Sequence, residues 1–246
     1  MKNKKIEFAL GLLVVIIVSI MILLNNVIAA NPQPPDIVLN PSNETRATPS
    51  AKKINISGGY IATLNISATI QNPRWKAFIG WVNGEFTLQD AGGSTIYDWS
   101  MTVTNGRVYA TRSSSSPSWS SIECANTSVI EQENTNMNLT NTYDNITATF
   151  DGVNHSSFWV GGTHFNTNAC NHTLNTYVNN QSQTGLNQVF DEITLYDGSN
   201  IVYATILEDD EVGYDGNNYD FQMLVPERGD PGFSGATAYY LYIEIS

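Results

Sequence analysis

Short runs in which apolar and polar residues alternate dominate the chain from residue 54 onward. In Leu64-Asn65-Ile66-Ser67-Ala68-Thr69-Ile70 the even positions are apolar and the odd ones polar. Phe86 and Leu88 alternate with Glu85, Thr87 and Gln89, and Ile193 and Leu195 with Glu192, Thr194 and Tyr196. Leu241, Ile243 and Ile245 alternate with Tyr240, Tyr242 and Glu244. A period of two marks strands with one face in and one face out. Turn chemistry punctuates the runs at Asn83-Gly84, Gly92-Gly93, Asn105-Gly106, Asp151-Gly152, Asp197-Gly198 and Asp215-Gly216. A single short helix is expected near Ser128 to Met137. The pattern predicts an all-β fold, an antiparallel two-sheet β-sandwich of about ten strands, over residues 54–246. Two stretches depart from it. Ser113 to Ser121 holds seven serines and reads as a loop, and Asn126 to Thr147, rich in Asn and Thr, reads as a surface excursion.

The first 30 residues have a different periodicity: none. Lys2, Lys4 and Lys5 precede an uncharged, apolar run from Phe8 to Leu24 in which Ser19 is the one hydroxyl residue. As a helix this run rises about 25 Å, and continued to Ala30 about 34 Å, which brackets a bilayer core. Lysines on its N-terminal side place that end in the cytoplasm and the remainder outside. Small residues at Ala29 and Ala30 fit signal cleavage, so residues 1–30 are a signal peptide or an N-terminal membrane anchor, and both readings stand. A prepilin leader carries Gly or Ala just after its basic run, whereas Ile6, Glu7 and Phe8 follow Lys5 here. Residues 31–53 hold Pro32, Pro34, Pro35, Pro41 and Pro49, five of the nine prolines, and read as an extended stalk.

Charge narrows the functional classes. Of the 246 residues only 14% are charged, and the formal net charge is -12. From residue 54 onward there are 20 acidic and five basic residues, and no Lys or Arg lies between Arg112 and Arg228. Such a surface repels nucleic acid and anionic lipid. Solubility rests on Asn, Ser, Thr and Tyr, a composition suited to packing against other copies. Cys124 and Cys170 are the only cysteines, and an exported pair predicts a disulfide. Nine Asn-x-Ser/Thr triplets, at Asn43, Asn55, Asn65, Asn126, Asn138, Asn145, Asn154, Asn171 and Asn180, are glycosylation candidates.

Candidate chemistry is sparse. The acidic run Glu208 to Glu211 with Asp215 and Asp220 offers oxygens for calcium, with Asp209, Asp210, Asp215 and Asp220 as ligand candidates, although the spacing matches no standard calcium loop. His155, His164 and His172 flank Cys170, but two of them sit inside Asn-x-Ser/Thr triplets and are expected at the surface. Ser234 lacks the glycine that a nucleophile elbow places two residues later. Asp98 and Glu123 are the acid pair a hydrolase would need to converge. Trp75, Ala77, Ile79 and Trp81 would share one core-facing strand face. Trp119, in the serine loop, is the tryptophan expected to be exposed for stacking on a sugar.

The segment from Pro73 to Gly84, together with Gly106 to Arg112, Phe190 to Ile193 and Tyr219 to Glu227, resembles archaeal exported cell-surface proteins of unassigned function, S-layer-associated or pilin-like in style. The resemblance implies a cell-surface setting and carries no catalytic residue. The expected protein is therefore non-enzymatic, a structural or adhesion component of the envelope or a filament subunit. Its partners would be the membrane through its N-terminal helix, other surface proteins or copies of itself, and no nucleic acid. A carbohydrate-binding module taking glycans, with calcium as its one conceivable cofactor, is the alternative.

Overall fold

The computed structural model describes residues 31–39, 42–47, 49–99, 105–183 and 188–245. The expected N-terminal helix therefore lies outside the described residues. Among the described residues no helix is long and apolar enough to cross a membrane. The protein is mostly β with few helices. In chain order the elements are β1 (Trp75–Gly80), β2 (Phe86–Gln89), β3 (Thr95–Trp99), β4 (Gly106–Thr111), β5 (Glu123–Cys124), α1 (Thr127–Asn136), α2 (Ile146–Thr149), β6 (Phe158–Val160), β7 (Thr163–Phe165), β8 (Thr173–Asn175), β9 (Asp191–Tyr196), β10 (Ile201–Ile206), β11 (Glu211–Val212), β12 (Asn218–Tyr219), β13 (Phe221–Pro226) and β14 (Tyr240–Ile245).

A six-stranded antiparallel sheet, in the order β14-β4-β10-β9-β5 with β8 also on β9, forms the centre. The β9–β10 hairpin is made locally. The Asp197 carboxylate accepts from the backbone N–H groups of Ser199 and Asn200, and Gly198 takes φ 92°, which costs a residue without Cβ nothing. This sheet is buried on both faces, so the simple inside–outside alternation fails here. Val108, Ala110, Ile201 and Tyr203 enter one core cluster. Tyr109, Val202, Ala204, Ile193, Leu195 and Tyr242 enter another on the opposite face. In β9 the polar Glu192 and Thr194 are as buried as Ile193 and Leu195. In β14 the expected outward residues Tyr242 and Glu244 are the buried ones.

Cover on the first face comes from α1, α2 and the β1–β13 ribbon. Asn126 to Thr147 is thus no surface excursion: Ile130, Met137, Leu139 and Ile146 are each at most 2% exposed. Its asparagines build the local structure. The Asn126 and Asn145 side chains cap α1 and α2 by accepting from Val129 and Ala148 N–H. Buried Asn134 accepts from Ile146 N–H at 2.8 Å and donates to the Thr147 hydroxyl at 3.0 Å, tying the two helices together. The short helix expected near Ser128 to Met137 is α1. On the second face the β6–β7 hairpin and the serine loop close over Tyr109 and Tyr242. The first residues of the proline-rich stretch also dock. Gln33 exchanges both backbone hydrogen bonds with Ile243 at the free edge of β14.

Candidate interaction surface

Residues 54–99 differ from everything after them. Residues 61–71 make no hydrogen bond with the rest of the described chain, and all of residues 51–73 are exposed. The strand expected over Leu64 to Ile70 is not formed, and Leu64, Ile66 and Ile70 are 52%, 82% and 87% exposed. Its alternation is intact, but among the described residues no strand lies beside it. From Ile54 to Asn72 there is no charged residue and no proline. Sheet edges are normally guarded by one or the other.

The β2–β3 hairpin is formed yet lies off the core. Register pairs Phe86 with Trp99 and Leu88 with Tyr97, so these four apolar side chains share one face. Each stays exposed, with Tyr97 and Trp99 in edge contact at 5.0 Å between ring centroids. The neighbouring β1 is anchored on β13 over six register pairs. Trp75, Phe78 and Val82 pack against the core, whereas Ala77, Ile79 and Trp81 point outward. The face of β1 expected inside is therefore largely the outer one, although β1 stays paired with β13 through Gly80.

Among the tryptophans, the sugar-stacking expectation for Trp119 is overturned. Trp119 is 6% exposed, wedged between Tyr109 at 5.1 Å and Tyr242 at 5.4 Å. The exposed tryptophans are Trp81, Trp99 and Trp159. Trp81 is fixed rather than loose: its Nε1 donates to the Asn218 carbonyl at 3.0 Å, and its ring lies 5.3 Å from that of Tyr219. Tyr214 continues the group by stacking on Tyr219, and Asp215 and Asn217 lie alongside. No periodicity in the sequence marks this cluster, since it joins β1 to a turn more than 130 residues away.

The calcium candidates do not assemble. Among the described residues no three carboxylate, histidine or cysteine side chains converge as a metal site. Asp215 closes its own turn onto Asn217 N–H, and Asp220 accepts from Val82 N–H at 2.7 Å and Asp210 N–H at 3.3 Å. Asp209 and Asp210 face solvent. The acidic run has one electrostatic consequence: burial, then the charges of Asp191 and Glu211, pushes the Glu208 carboxyl up to about 7. His155 and His172 are 3% and 8% exposed, not at the surface. His155 Nε2 accepts from Cys170 N–H, and His172 bonds the Phe150 carbonyl and the Thr127 hydroxyl, so both are spent on structure. Asp98 lies on β3 and Glu123 on β5, in separate sheets.

Cys124 and Cys170 form the expected disulfide, with Cα atoms 5.3 Å apart. It fastens the edge strand β5 to the segment that carries His172 and β8. Of the nine triplet asparagines, Asn43, Asn55, Asn65, Asn126, Asn171 and Asn180 are exposed and Asn138, Asn145 and Asn154 half-buried. Several have evident structural work: Asn126 and Asn145 as helix caps, and Asn138 and Asn180 at positive φ of 53° and 60°.

Two buried carboxyls complete the electrostatic picture. Glu244 accepts from the Tyr109 hydroxyl at 2.8 Å and lies 3.7 Å from the Arg107 guanidinium. Burial nevertheless raises its pKa above the usual carboxylate range. Glu192 is wholly buried and accepts from Leu224 N–H at 2.8 Å, and burial pushes its pKa well above the usual carboxylate range. No known protein family, curated protein or solved structure matches this chain.

Proposed function

We propose that the chain is a non-enzymatic surface protein that assembles with copies of itself or with other surface proteins, outside the cell membrane or secreted. In this reading residues 1–30 deliver or anchor it, residues 31–53 form the stalk, held against the β14 edge at Gln33, and the domain is a β-sandwich whose second sheet is nucleated by β1 and β13. One observation carries the proposal. A disulfide-locked core presents an uncharged, strand-patterned segment and a hairpin with an open apolar face, and neither is covered among the described residues. Patches of this kind on soluble proteins mark interaction sites. The resemblance to archaeal exported surface proteins and the disulfide agree with an oxidising exterior. The test is the assembly state of native protein extracted in mild detergent and imaged by negative stain. Filaments, lattices or particles of several copies are expected, and single chains alone would overturn the reading.

A second reading rests on Trp81. A fixed indole, 59% exposed, against Tyr219, which itself stacks on Tyr214 and bonds Asp215, combines a stacking platform with hydrogen-bonding groups, which suits a glycan. Pull-down on immobilised glycans tests it: retention that Trp81→Ala abolishes supports sugar binding, and no retention on any glycan ends it.

A further inference from the structure

The segment Leu64 to Ile70 is its own complement. In an antiparallel pair, directly opposite residues share a face. Two copies of this segment related by a two-fold axis through Ser67 would place Leu64 opposite Ile70 and Ile66 opposite Ala68, all on one face. Asn65 would lie opposite Thr69, and Ser67 opposite Ser67, on the other. No other residue between Leu64 and Ile70 gives an axis that both matches every apolar residue with an apolar one and keeps the whole run paired. Resting on the surface-assembly reading above, we propose that residues 64–70 form an isologous β-interface with a second copy of this chain, with Ser67 on the two-fold axis.

Three observations favour a second copy over other occupants. Backbone N–H and C=O groups of residues 61–71 have no partner within the described chain, so an added strand supplies what is missing. The chain is strongly acidic, which sets copies against each other across most of its surface, yet residues 54–72 carry no charge at all. Two copies therefore meet here without opposing like charges. An anionic lipid surface would instead select Lys and Arg, and this stretch has neither. The apolar side of the paired ribbon needs cover, and the β2–β3 hairpin offers Phe86, Leu88, Tyr97 and Trp99 on one exposed face a short distance along the chain. The opposite side of the ribbon keeps Asn65 in solvent, so a glycan there is compatible with pairing.

Cysteine cross-linking of the full chain in mild detergent reads the register directly. Ser67→Cys is expected to give a disulfide-linked pair of chains on mild oxidation. Asn55→Cys, in the same exposed uncharged stretch but outside the paired run, is expected to give several-fold less. The charged variant Ile66→Lys with Ile70→Lys should shift the mass by light scattering toward the single chain. The loss is about tenfold in association per buried isoleucine removed. The denaturant midpoint of the single chain should not change, because both positions are exposed in it. If native assemblies persist but Ser67→Cys links no better than Asn55→Cys, or the lysine variant keeps its mass, the pairing is overturned while the surface-assembly reading stands. If native protein is a single chain throughout, both fall.

Discussion

Strand β9 and the segment Leu64 to Ile70 are near twins in pattern and opposites in fate. Both alternate apolar with polar or hydroxylated residues over six or seven positions. In β9 every residue from Asp191 to Leu195 is buried, whereas in the other every residue is exposed. Neighbours make the difference. The Asp197-Gly198 turn brings β10 back onto β9 within four residues, and β5 and β8 pair along its other edge. Residues 64–70 have a glycine-rich approach at Gly58-Gly59 and no hairpin partner. Alternation therefore states that a segment is competent to pair, not that its partner lies in the same chain.

The comparison can be broken or sharpened by measurement. Removing the clamp beneath β9 should have the largest effect. Replacing Cys124 and Cys170 by Ser opens a loop of 46 residues, with an expected loss of about 4 kcal/mol by chain entropy, read as a lower denaturant midpoint. Next, Ile193→Ala in the buried strand should cost about 3 kcal/mol. Ile66→Ala in its exposed twin should change single-chain stability by less than about 0.5 kcal/mol. Equal costs for the two would show that residues 64–70 are buried in the same chain after all. Asn126→Ala removes the cap of α1, which covers the Val108–Tyr203 face of the central sheet, and should cost about 1 kcal/mol in thermal unfolding.

The smallest effect concerns pH. Glu208 holds its proton to higher pH when folded than when unfolded, so its contribution is fully present below about 4.5 and is lost as pH rises through about 7. Stability should therefore decline across that window, and Glu208→Gln should flatten the decline in denaturant titrations at successive pH values.

What the sequence made legible was local or covalent. The β9–β10 hairpin announces itself through Ile193, Leu195 and Asp197-Gly198. The cysteine pair pointed to a disulfide rather than two buried thiols, and α1 lay close to its expected limits. What escaped depended on contacts between distant segments. Asn126 to Thr147 looks like a polar excursion because its asparagines are plentiful, yet three of them cap or join helices whose few apolar residues all face inward. Trp119 sits among serines but is drawn under by Tyr109 and Tyr242. His155 and His172 lie in hydrophilic triplets and are buried because backbone groups at Cys170, Ser156 and Phe150 meet their ring nitrogens. The uncharged gap from Ile54 to Asn72 was visible all along. Its meaning emerged only when the structure left it uncovered.

The disulfide also decides what happens to a damaged molecule. It spans α1, α2 and the β6–β7 hairpin, and the connections inside that span include Tyr143, which at 91% exposure stands open to solvent. A protease cutting there severs the backbone but releases nothing, because both fragments still share a covalent bond through Cys124 and Cys170. Nicked copies would thus keep their place in an assembly, and only a reductant would reveal the cut.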